Sequence, residues 1–128
     1  MTFEQILSDI KKRNFSPIYF LMGEEPFFID SISDELENNI LDEAERSFNQ
    51  IILYGSDVTA KDIMSQARAF PMMGEHLVVI VKEAQNVKDI ESIAEYLDKL
   101  PPTTILVICY KYKKLDKRKS LAKQIDKK

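Results

Sequence analysis

The stretch Pro17-Ile18-Tyr19-Phe20-Leu21-Met22-Gly23-Glu24-Glu25-Pro26 decides how this 128-residue chain is read. Residues 17–22 have the composition of a buried strand, Gly23 closes it, and a helical pattern starts near Phe27. Strand, glycine turn and helix N-terminus form the frame of a phosphate-binding loop, whose working version is G-x-x-x-x-G-K-S/T. Here the second glycine, the lysine and the hydroxyl are all missing at the required spacing. Glu24 and Glu25 stand where phosphate oxygens would sit and would repel them. The frame is kept and the chemistry is gone.

Around this turn, strands and helices alternate. Thr2 with Gln5 makes a capping box for a first helix over about 3–13. A second helix over 27–41 is predicted to turn Phe28, Ile29, Ile32, Leu36 and Ile40 inward, with Pro26 in its first turn. Strands are predicted at 48–54, 77–81 and 103–109, the last two as continuous apolar runs suited to the middle of a parallel sheet. Between them, Thr59 with Asp62 caps a helix over 60–69, and Asn86 with Asp89 starts one over 87–99 that Pro101-Pro102 ends. A last amphipathic helix is expected over 116–126. The fold class is therefore α/β: a parallel sheet with helices on both faces and a degenerate phosphate loop.

At this length one domain is expected, 1–128, with enough chain to bury a core. The net charge of −3 excludes a generally basic nucleic-acid binder, but residues 111–128 hold nine Lys/Arg against Asp116 and Asp126. That local +7 leaves −10 for the remainder. It marks either a binding tail or the solvated face of a basic helix. Cys109 is the sole cysteine, so no disulfide forms within the chain, as suits a reducing cytoplasm. It lies in an apolar run and reads as a small buried hydrophobe. No apolar run approaches the ~18 residues of a membrane span, and no secretory leader opens the chain. The chain stops without a closing element and is expected to be a fragment of a longer protein.

A second, independent test concerns the metal. Hydrolytic phosphate-loop domains carry an aspartate at the end of an apolar strand to hold magnesium. The strand at 77–81 ends instead in Lys82-Glu83, and an ammonium group cannot ligate a hard cation. Glu83 reads as an exposed carboxylate. His76 is the sole histidine, with no partner spacing for a triad or a metal set. No catalytic residue, metal or cofactor is expected. The connector Phe70-Pro71-Met72-Met73-Gly74 is different, because four large apolar residues stand where connections normally run over the surface. It is either an adaptable binding surface or the closing end of the core.

Three stretches resemble one family. Pro17–Ile29, Phe70–Val81 and Lys114-Leu115-Asp116-Lys117-Arg118-Lys119 are similar, in order and spacing, to hallmarks of the delta subunit of bacterial DNA polymerase III. The resemblance runs from Pro17 to the end of the chain. It implies the N-terminal, AAA+-type domain of a clamp-loader subunit, without the helical lid and collar domains through which the family meets the other loader subunits. It further implies a DNA-replication protein of the cytoplasm that opens the sliding clamp, the ring-shaped beta subunit, while neither binding nor hydrolysing ATP. The polymerase activity would belong to the holoenzyme. The clamp-binding residues fall by position on Met72 and Met73, flanked by Phe70 and Pro71, where the family often has an aromatic residue or leucine. Gly23, Glu24, Glu25 and Lys82 are then the remains of the nucleotide site. If the methionines form a plug, one at least is exposed, and Phe70 points back to hold the connector. Two alternatives compete with this reading: an ATPase with a non-standard loop, and a DNA-binding module that uses Lys111–Lys128.

Overall fold

Two continuous apolar runs become the middle of one sheet. The computed structural model describes residues 3–23, 26–72 and 74–111. Its elements run α1 (Phe3–Lys11), β1 (Ile18–Gly23), α2 (Pro26–Asn39), α3 (Glu43–Asn49), β2 (Gln50–Tyr54), α4 (Ala60–Ala67), β3 (Leu77–Lys82) and β4 (Thr104–Lys111). The strands order β1-β4-β3-β2, and every pair is parallel. Each side of the sheet carries its own apolar cluster. Val79, Val81, Leu106 and Ile108 meet α4 and the segment between β3 and β4 on one face. Val78, Ile80, Ile105 and Val107 meet α1 and α2 on the other. Period-2 alternation thus feeds two cores from the same strands, which is why β3 and β4 read as unbroken hydrophobic runs.

Local chemistry sets several boundaries. Thr59 Oγ1 accepts from Asp62 N at 3.3 Å while an Asp62 carboxylate oxygen accepts from Thr59 N at 2.9 Å, the reciprocal box expected for α4. Arg13 leaves α1 at a positive φ of 59°. Its guanidinium then donates to Asn39 O and Ile40 O, at 3.1 and 3.0 Å, covering carbonyls that the end of α2 leaves open. Among the described residues no helix is long and apolar enough to cross a membrane.

Four expectations need correction. Strand β2 begins at Gln50, because residues 43–49 form α3, whose N-cap Asp42 accepts from Glu45 N at 2.8 Å. Phe48 and Asn49 are therefore helical. Phe28 is 48% exposed and stacks edge-on with Phe27, so it does not join the inward face of α2. The segment 87–99 is not an α-helix but a series of 3-10 turns, at Ala84–Asn86, Ile90–Glu95 and Leu97–Lys99. Its apolar residues are buried as expected, yet Val87, Ile90 and Ile93 recur every third residue, the repeat of a 3-10 helix. Asp89, read as a cap for this segment, instead accepts from Ala60 N at 3.0 Å and serves α4. Glu83, expected to be exposed, keeps 39% of its side chain in water, and it adopts a left-handed φ of 54° and pairs with Lys111 at 3.0 Å. Thr2, Glu24, Glu25, Met73 and the basic segment 112–128 lie outside the described residues.

Candidate functional site

Parallel strands bring their carboxyl ends to one edge, where a phosphate loop would work. Gly23 pairs in register with Lys111, and Tyr54 with Lys82, so the ends of all four strands meet there. Gly23 has φ +149°, a conformation that L side chains rarely adopt, although no atom lies within 4 Å of where a Cβ would stand. The glycine is thus required by its backbone angle and not by a close approach. Beside it lies a cleft of about 310 Å³, lined by Asp30, Ser33, Tyr54, Lys82, Cys109 and Lys111 among others.

Both lysines of this cleft are already partnered. Lys111 Nζ sits 2.8 Å from Asp30 and 3.0 Å from Glu83, and Lys82 Nζ sits 3.0 Å from Glu37. The hydrogen bond to Asp30, then that to Glu83, raises the Lys111 pKa against the opposing effect of burial. The bond to Glu37 likewise raises that of Lys82. Gln85 adds an acceptor for Lys111 N at 3.1 Å. Each ammonium therefore closes a bridge between a strand end and a neighbouring element, and its charge is neutralised within the fold. An incoming phosphate would meet Asp30, Asp34, Glu37 and Glu83 and would have to displace carboxylates from both cations. Burial pushes the Cys109 thiol up, partly offset by a hydrogen bond with Ser33, so it is a poor nucleophile.

The opposite edge of the sheet carries the connector between α4 and β3. Phe70 is 72% and Met72 63% exposed, while Pro71 is half-buried. Exposed as they are, these side chains hang from a held backbone. At one end, Thr104 Oγ1 donates to Ala67 O at 2.7 Å within the core. At the other, the side chain of Asn49 grips Met72 twice: Nδ2 donates to Met72 O at 2.8 Å, and Oδ1 accepts from Met72 N at 2.6 Å. Asn49 itself is 0% exposed. Gly74 completes the seat, since a Cβ there would come 2.5 Å from Glu45 Oε2 and 2.8 Å from Asn49 Nδ2.

Gly23 and Lys82 both stand at the carboxyl ends of their strands, Gly23 beside Lys111 and Lys82 beside Tyr54, and the Phe70–Met72 connector lies at the opposite edge. Phe70 does not point back to hold the connector: it is largely exposed, and the backbone is held by Asn49 and Thr104 instead. Asn49 escaped sequence reasoning because residues 48–54 read as a strand. A usable signal was present: a single asparagine between Phe48 and an apolar run, where burial of its amide demands partners. His76 packs edge-on against Phe15, with centroids 6.1 Å apart, and no metal cluster forms among the described residues.

The family model described as DNA polymerase III, delta subunit, matches residues 19–128. The DNA polymerase III subunit delta of Bacillus subtilis (strain 168) is 27% identical over 132 residues, which cover 95% of this chain and 38% of that protein. The solved structure of the Bacillus subtilis DNA clamp loader delta protein shares the fold with a TM-score of 0.85 at 24% identity, over 98% of this chain and 40% of that one. The chain spans about two fifths of the length of these relatives.

Proposed function

Because this chain belongs to the family of DNA polymerase III delta subunits, we propose that it is the clamp-engaging domain of a clamp loader. In this reading Met72, with Phe70, Pro71 and Met73, enters an apolar pocket on the sliding clamp and helps to open the ring, without ATP hydrolysis by this domain. The observation that carries it is the pairing of exposed apolar side chains with a backbone fixed from the core. The two bonds satisfy a buried amide and at the same time keep the main chain under the exposed side chains in one place. A residue that must enter a pocket gains preorganisation, because less ordering entropy is lost on binding.

Opening would follow from differential affinity. A plug and its neighbouring surface that bind the open or distorted clamp better than the closed one shift the clamp's population by that difference alone. Burial of one large apolar side chain supplies about 1.5–3 kcal/mol toward it. ATP would act through other subunits, contacted by parts of the family protein beyond this chain, and the protein would work in the cytoplasm. The neutralised cleft at Gly23, Lys82 and Lys111 favours this reading over an ATPase, since its two cations are held by carboxylates. Calorimetric titration of the chain with Mg-ATP tests that part: micromolar binding would sink it. Surface plasmon resonance on the immobilised sliding clamp of the same organism tests the rest, with saturable binding that needs no nucleotide as the expected result.

A further inference from the structure

We infer that Asn49 is the positioning residue of the connector: it sets where Met72 projects and thereby the affinity for the clamp, a role that rests on the clamp-binding reading above. An asparagine amide offers one donor group and one acceptor, and here both faces of it are committed to the same residue, Met72 N and Met72 O. That pattern is the one a neighbouring strand would offer, so the side chain acts as a one-residue strand edge for a connector that has no strand to pair with. The alternative, a buried asparagine satisfied only by local backbone, would leave Met72 with its main chain in water.

Three further features fit a positioning role. Asn49 is fully buried at the last position of α3, immediately before β2, so its own backbone is fixed by two regular elements. Gly74, two residues past the gripped one, leaves the amide just enough room, and a methyl group there would press on Nδ2. The gripped residue itself is one of the most exposed large hydrophobics among the described residues, so the bonds bury no side chain of Met72. The grip fixes direction and leaves the side chain free to be buried elsewhere. Loss of the grip would leave Met72 chemically intact and able to dock, but only after ordering a longer free connector, with the cost expressed mainly in binding.

The test is a double-mutant cycle on the whole chain, with clamp affinity and Met72 amide exchange as readouts. Asn49→Leu keeps the branched four-atom side chain, with two bulkier methyl groups in place of the amide, and removes both bonds. It should weaken binding to the sliding clamp by roughly tenfold, and by less than about twofold in a Met72→Ala background, because there is then no side chain to position. Met72 N–H, protected in the parent, should exchange at the rate of an open loop in Asn49→Leu. Gly74→Ala, which disturbs the same bond from the connector side, should lower that protection too and serves if Asn49→Leu fails to fold. Additive losses across the cycle, or an unprotected Met72 amide in the parent chain, would overturn the role of Asn49 while leaving clamp binding intact. Absence of clamp binding by the parent would overturn the clamp reading and the role together, and a protected Met72 amide would then mark the grip as purely structural.

Discussion

Two methionines eight residues apart offer an internal control for the connector. Met64 lies in α4 at 2% exposure, inside the cluster that faces Val79 and Ile108, whereas Met72 keeps nearly two thirds of its surface in water. Truncation of Met64 to alanine removes buried methylenes and leaves a cavity, which should cost about 2–5 kcal/mol of stability. The same truncation at Met72 removes surface that was mostly solvated, so the stability loss should stay below about 1 kcal/mol. On the clamp the order reverses. Burying the exposed two thirds of Met72 is worth about 1–2 kcal/mol, so Met72→Ala should raise Kd by about 5- to 30-fold. Met64→Ala should leave Kd unchanged wherever the domain remains folded. Urea denaturation followed by circular dichroism measures the first quantity, and titration of the sliding clamp at a temperature where both variants are folded measures the second. A loss of 2 kcal/mol or more of stability from Met72→Ala, with unchanged clamp affinity, would place the residue in the core and refute the reasoning.

Phe70→Ala should behave like Met72→Ala, with weaker clamp binding and a nearly unchanged melting temperature, in contrast to a ring that holds the connector. Lys111→Met should destabilise the fold by about 1 kcal/mol or less in denaturant titrations, because it strips the partner from Asp30 and Glu83 together but both carboxylates are partly exposed and regain water. The pKa of Lys111 is raised by folding, so its stabilising effect is fully present below the unfolded lysine value of about 10.4 and fades only as pH climbs through the folded value. Parent and Lys111→Met should therefore differ by a constant amount from pH 6 to 9, and a gap that changes within that window would contradict the ion-pair account. Gly55→Ala should destabilise the fold by several kcal/mol, since its methyl group would collide with the main-chain carbonyl of Glu83, which cannot swing aside as a flexible side chain would.

The sheet was legible because its strands carry their own signal. Leu77–Val81 and Ile105–Cys109 are unbroken apolar runs, and only a strand covered on both faces supports such a run without polar relief. The box at Thr59 and Asp62 was equally plain, since both partners are within one turn of each other. What stayed hidden depends on partners distant in sequence. Asp89 caps a helix 29 residues away, Lys111 at the end of β4 meets Asp30 in α2, and Asn49 reaches Met72 across 23 residues. Helix α3 was lost for a related reason: its seven residues include Phe48 and Asn49, which read as readily as the start of the following strand. At the connector, the apolar surplus of Phe70–Met73 was visible in the sequence, but its support was not. An exposed Phe70 and a buried asparagine exchange the roles that side-chain size alone would assign them.

The central claim is tested most directly by mixing the purified chain with the sliding clamp of the same organism and resolving them by size-exclusion chromatography with light scattering, with and without Mg-ATP. The account predicts a complex that forms equally in both conditions and is lost on Phe70→Ala/Met72→Ala, a double variant that remains folded. A clamp that elutes alone, or a complex that appears only with Mg-ATP, would contradict it.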